Sequence, residues 1–168
     1  TYPDGIHVGA VCAPVTEGNY EVARKLSLQA VDDLFAALRG GDTEAAAALF
    51  APNAKAQAES FPQALEALRA LFGGDEVELT VDRAISVDFG RHANNQWQEH
   101  GVFSYRTETP HGTYLLALKQ TYYDTTVPED IGLWSLYVFP LTDTAEAPTL
   151  PETEDDYVPG IHIAEENK

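Results

Sequence analysis

Four residues in the second half of the chain have the side chains for acid-base chemistry: His100, Gln120, Tyr122 and Asp124. A histidine exchanges protons near neutral pH, a carboxylate orients it, and a phenol and an amide donate hydrogen bonds to developing negative charge. Such a set suits a lyase, isomerase or cyclase acting on a small molecule. Its assembly depends on register. If segments 96–106 and 113–124 form a hairpin around Pro110-His111-Gly112 with Arg106 opposite Tyr114, then His100 faces Gln120, Gln98 faces Tyr122 and Gln96 faces Asp124. Alternation puts the four on one sheet face near its open end, with Trp134 joining from the next strand. Trp97, Phe103, Tyr105, Leu115 and Tyr123 then share the other face. A slip of one residue scatters the set, and the plainer reading is an exposed mixed face or a hydrogen-bonded core histidine.

Other chemistry is less well supplied. His92 and His111 fall in expected turns, where they are solvated. Arg106 with Asp82 and Asp124 has the composition of an epoxide-hydrolase-like carboxylate, arginine, carboxylate set, but nothing in their spacing brings them together. The single Cys12 excludes an intrachain disulfide and a cysteine-based zinc cluster, and reads as a small buried hydrophobe. No phosphate-binding glycine motif, nucleophile elbow or metal-ligand spacing occurs, so neither a cofactor nor a metal is expected.

The elements that must position these residues fall in two groups. Apolar residues at Val22, Leu26, Val31, Leu34, Phe35 and Leu38 follow the helical period until Gly40-Gly41 end it. Asp42 is a natural N-cap for a short helix through Phe50, with Glu44 near its positive end, and Pro52 discourages continuation. Ser60 and Gln63 have capping-box spacing, Pro62 suits a first turn, and Gly73-Gly74 close a third helix. From Glu76 the period changes to two, with strands predicted over 77–89, 96–106, 113–124 and 133–141. Three N-terminal helices followed by an antiparallel meander predict an α+β domain with a strongly curved sheet wrapped around the helices. The expected organisation is an N-terminal arm over 1–18, one domain over 19–146, and an acidic, Pro-rich arm over 147–168.

Composition limits the partners. With 27 acidic against 10 basic side chains the formal net charge is −17, which repels nucleic acid and anionic lipid, and no apolar run is long enough to span a membrane. The chain starts Thr1-Tyr2-Pro3 and contains no Met, the trace expected of a processed, secreted protein.

The run from Leu28 to Ala54, LQAVDDLFAALRGGDTEAAAALFAPNA, and the order of elements after it resemble the NTF2-like (SnoaL-like) superfamily. That resemblance covers residues 20–141 in architecture but only the helix pair in sequence, and implies a cone-shaped α+β fold. Within the superfamily the run is most similar to steroid isomerases. Carried over singly, their oxyanion tyrosine falls at Leu34 and their general-base aspartate near Ala58, and neither residue can serve. Glu59 beside the lost base would point to the opposite strand face. The helix-borne aspartate of the superfamily's dehydratases has no counterpart either, since Ala36 and Ala37 occupy its neighbourhood while Asp32 and Asp33 read as solvated.

The two ends carry near copies of one phrase, Tyr2-Pro3-Asp4-Gly5-Ile6-His7-Val8 and Tyr157-Val158-Pro159-Gly160-Ile161-His162-Ile163. The arms either dock on their own domain or reach a neighbouring subunit by strand addition, with Tyr2, Ile6, His7, Tyr157, Ile161 and His162 as contacts. A metal clip between His7 and His162 would have too few ligands. The leading expectation is a structural subunit that forms a homo-oligomer through its sheet and arms. The alternatives are the His100 enzyme, with Trp134, Leu34 and Ala58 lining a pocket in the cone, and a non-catalytic carrier of an apolar small molecule.

Overall fold

A computed structural model describes the backbone of residues 17–74, 78–92, 96–141, 150–151 and 156–165, and the side chains of 21–74, 98–141, 150–151 and 156–165. Helices come first: α1 (Glu17–Arg39), α2 (Thr43–Ala48), α3 (Pro52–Gln57) and α4 (Phe61–Phe72). Strands β1 (Glu78–His92), β2 (Gln96–Thr109), β3 (Gly112–Asp124) and β4 (Gly132–Leu141) follow, with a 3₁₀ turn at Pro128–Asp130, and β5 (Gly160–Ile163) closes the chain. They form one sheet in the order β1-β2-β3-β4-β5, antiparallel except for the parallel β4–β5 pair. The chain is α+β, and its open sheet is curved.

α1 ends as its glycines require. Asp42 N–H reaches Ala37 O and Gly41 N–H reaches Leu38 O while Gly41 takes φ +70°, a conformation that costs glycine nothing. Asp42 then caps α2, its Oδ1 accepting the Ala45 N–H at 2.9 Å. α2 ends at Ala48, two residues short of the predicted Phe50, and Pro52 starts α3, because a proline in the first turn gives up an N–H that has no helical partner anyway. Four helices therefore stand where three were predicted. The capping box at Ser60 does not form: Ser60 is left-handed, with φ 52°, and its hydroxyl makes no capping bond.

The buried stripe of α1 is Ala23, Ser27, Ala30, Val31, Leu34, Phe35 and Leu38, whereas Val22 and Leu26, expected on the apolar face, are 46% and 45% exposed. The period itself accounts for this, since steps of three and four back from Leu38 and Leu34 reach Ala30, Ser27 and Ala23 and leave Val22 and Leu26 to one side; Ser27 Oγ accepts a hydrogen bond from Tyr105 Oη at 2.6 Å inside the core. Against this stripe pack Phe61, Leu65, Leu68 and Phe72 of α4 and the inner residues Phe103, Tyr105, Leu116, Leu118, Leu136 and Val138 of the sheet. Phe72 meets both Phe35 and Tyr114 edge-on, with centroids 5.0 and 5.3 Å apart. Between α2 and α3, Ala51 N–H bonds to Leu133 O and Leu133 N–H to Leu49 O, both at 2.9 Å, which stitches the helices to the start of β4.

Candidate functional site

The hairpin that must align the predicted catalytic set has a two-residue loop, Pro110-His111, with Thr109 paired to Gly112. Thr109 Oγ1 fixes this turn, donating to Gly112 O at 3.0 Å and accepting the His111 N–H at 3.1 Å. Arg106 consequently lies opposite Leu115, not Tyr114, and His100 opposite Thr121, not Gln120. A bulge between Glu99 and His100 moves the register once more, so that Gln98 faces Asp124 and Tyr122 is the extra residue of the bulge.

These offsets split the predicted set. Cross-strand partners share a face, and Phe103 with Leu118 points into the helix-packed core, so Gly101 and Gln120 point there too. Tyr122 packs against the same core, and a Cβ on Gly101 would lie 2.9 Å from its hydroxyl. His100, with Thr121, belongs to the outer face beside Val102 and Ala117. Asp124 is a structural acceptor. Its Oδ2 takes Gln98 Nε2–H at 3.0 Å and its Oδ1 takes the backbone N–H groups of Thr126 and Val127 at 2.9 and 2.8 Å. The predicted cooperation of His100, Gln120, Tyr122 and Asp124 is therefore corrected: two turn inward, His100 stands on the outer face, and the carboxylate holds a turn.

The remaining sequence candidates separate likewise. Leu34 is core, 1% exposed. Ala58 is the residue that ends α3, not part of a strand, and Glu59 beside it is exposed. Arg106 is exposed and eight residues along β2 from the partner of Asp124, about 26 Å at strand rise, so the arginine–carboxylate set does not form. The side chains of Asp82, Trp97, Tyr2, Ile6, His7 and Cys12 lie outside the described residues.

Two features of the outer face could not be read from the sequence. One is a cleft of about 310 Å³ lined by Gln57, Gln98, Lys119, Thr121, Trp134 and Tyr157, among others. Trp134 is the unpaired residue of a second bulge, where β3 and β4 change register between Lys119 and Gln120. Asp130 also borders the cleft and is held by Asn53 Nδ2–H at 2.7 Å, which ties α3 to the 3₁₀ turn. An indole, amides, a hydroxyl and an ammonium in one concavity suit a small polar ligand better than an apolar one. His100 is buried next to this floor through Thr121, and Asp88 of β1 stands in register with it on the other side.

The second feature is a socket for the C-terminal phrase. Tyr157, 2% exposed, covers Val102 and Ala117 on the outer face and meets Tyr137 edge-on at 5.5 Å. Ile161 enters the core, and the His162 ring lies 4.6 Å from that of Tyr137. Val158 N–H donates to Tyr137 Oη at 3.0 Å, and His162 Nε2 lies 2.9 Å from Val158 O. Of the six contacts predicted for the arms, Tyr157, Ile161 and His162 thus dock on their own domain. Strand β5 could be anticipated only as a match between the ends, because four residues after a proline-rich run carry little periodicity.

Among the described residues, no group of three or more His, Cys, Asp or Glu is placed to hold a metal ion, and no helix is long and apolar enough to cross a membrane. No curated protein and no solved structure matches the chain. Residues 33–144, from the second half of α1 to just beyond β4, match a family model described as a domain of unknown function. With well over half of its length inside that match, the chain belongs to the DUF5104 family.

Proposed function

We infer that this chain is an NTF2-like domain that works without catalysis, as a self-associating structural subunit. The observation that carries the reading is close packing among the described residues of the interior. Leu34, Phe103, Tyr105, Leu116 and Leu136 are each 1% exposed or less where an enzyme or apolar carrier of that fold would keep its pocket. The steroid-isomerase positions in that interior hold no acid, base or oxyanion donor. A sheet whose last strand comes from a terminal segment supplies the complementary support, since strand addition is a common means of joining chains. Light scattering at several protein concentrations tests the reading. A particle larger than the 18.3 kDa chain is expected, and that mass at every concentration overturns it.

One observation favours a second reading. Thr121, cross-strand from His100, lines the polar cleft, which leaves room for acid-base chemistry on the outer face instead of in the cone. His100→Ala would abolish turnover of any substrate found by screening, and retained turnover removes His100 from the mechanism. Bound lipid or pigment in purified protein would instead support the carrier.

A further inference from the structure

The socket at the β4 edge makes specific demands on the segment that fills it. It takes a tyrosine over Val102 and Ala117, an isoleucine in the core and a histidine ring on Tyr137. Between tyrosine and isoleucine it needs a glycine: Gly160 has φ +106°, and a Cβ there would lie 2.7 Å from the Cβ of Ala58. After the histidine comes Ile163, packed against the core and paired with Val138.

The N-terminal phrase meets each of these demands at the same spacing. With Tyr2 in the place of Tyr157, Gly5 takes that of Gly160, Ile6 that of Ile161, His7 that of His162 and Val8 that of Ile163. Val8 is one methylene shorter than Ile163 and keeps its β-branched shape, and the two other differences fall between the tyrosine and the glycine. Pro3 replaces Val158 and has no N–H to give to Tyr137 Oη, while its carbonyl, the group that faces His162 Nε2, is retained. Asp4 replaces Pro159.

We propose that the β4 edge is a receptor for the N-terminal phrase of a second copy of this chain, which adds as a donated strand in place of β5. The proposal rests on the self-association reading above and names its contact. The joint is heterologous, the head of one copy in the edge of the next, so it builds an open row unless the rotation closes a ring. Strand β5 holds the socket against this exchange by being tethered to it and by keeping the Val158 bond.

The test compares the full-length chain, Ile161→Asp, and Ile161→Asp with Ile6→Asp, each followed by light scattering and titrated with a fluorescent peptide of residues 1–9. Releasing β5 with Ile161→Asp is expected to enlarge the particle, and adding Ile6→Asp to reverse this. The peptide is expected to bind the double variant at least tenfold more tightly than the unaltered chain, and a peptide carrying Ile6→Asp to lose binding. Equal binding of both peptides, or association indifferent to Ile6, overturns the proposal. Peptide binding without any enlargement of Ile161→Asp assigns the socket to the chain's own N-terminus and overturns the second copy. Where Ile161→Asp loses its native circular dichroism, His162→Ala, which gives up only the outer contact on Tyr137, takes its place in the same comparison. Large native particles that ignore Ile6 and the peptide leave self-association standing without this contact. A native single chain whose β5-released variant associates through Ile6 leaves the contact standing without native self-association.

Discussion

Gly160→Ala should loosen β5 without unfolding the domain. The substitution meets two obstacles: a backbone at φ +106°, and the Cβ of Ala58 at 2.7 Å, a distance real Cβ atoms do not adopt. Holding a non-glycine residue in a sparsely populated conformation costs about 1–3 kcal/mol. Escape by releasing the strand gives up the burial of Ile161, about 1.5–3 kcal/mol, and with it the ladder to β4 and the contacts of Ile163 and His162, against the backbone freedom regained. The two routes have similar cost, so the strand detaches in an appreciable fraction of molecules and the loss levels off near ~2 kcal/mol. For a chain of this size that is a fall in Tm of about 4–8 °C. Hydrogen exchange should quicken along β5 and the β4 edge while β2 and β3 keep their protection. Ala58→Gly removes the contact but not the strain, so a double-mutant cycle should give a coupling of about 1 kcal/mol. A Gly160→Ala chain within about 0.5 kcal/mol of the original, with unchanged exchange at β5 and no coupling to Ala58, would refute the reasoning.

Two further outcomes follow from side-chain hydrogen bonds, those of Asp124 exposed or part-buried and that of Ser27 buried. Asp124→Ala leaves the N–H groups of Thr126 and Val127 and the Gln98 amide without their acceptor, and should cost about 1–3 kcal/mol in urea unfolding; Asp124→Asn, which keeps one carbonyl oxygen for the turn, should cost less than half as much. Equal losses would show that charge, not turn geometry, is what matters there. Tyr105→Phe deprives the buried Ser27 Oγ of its donor, at about 1–2 kcal/mol, and adding Ser27→Ala should restore most of the loss, because an apolar pair strands no polar atom. A double variant as unstable as the sum of the singles would place the energy in packing instead.

Periodicity made the main elements legible because their residues answer to local rules. The strands predicted over 96–106, 113–124 and 133–141 lie within β2, β3 and β4, and that predicted over 77–89 coincides with β1 from Glu78 on, Val77 lying outside the described residues, since alternation and turn residues act within a few positions. Gly41 and Asp42 behave as their chemistry requires. Residues answering to distant partners were harder to place. Ser27 is a polar residue on the buried stripe of α1, and only its partner Tyr105, far along the chain, makes that position tolerable, so a search for apolar residues passes over it and picks Val22 and Leu26 beside the stripe. Ala58, placed on a strand by resemblance, ends a helix because Pro52 starts one.

The candidate site was lost through register, which hydrophobic alternation fixes poorly when both faces of a sheet are buried. Val102 and Ala117 on the outer face are as fully covered as Phe103 and Leu116 on the inner, so the pattern of β2 and β3 fits either of two alignments one residue apart. The choice falls to Thr109, whose hydroxyl closes the two-residue loop, and then to the bulges. Those bulges also make the outer face usable. An added residue in one strand bends it and turns a side chain out of the alternating rows, and the bulge between β3 and β4 does this to Trp134 beside Lys119. The cleft, the arm that lies over Val102 and Ala117, and the socket that receives its last strand therefore share that outer surface and the β4 edge, where binding needs no opening of the packed interior.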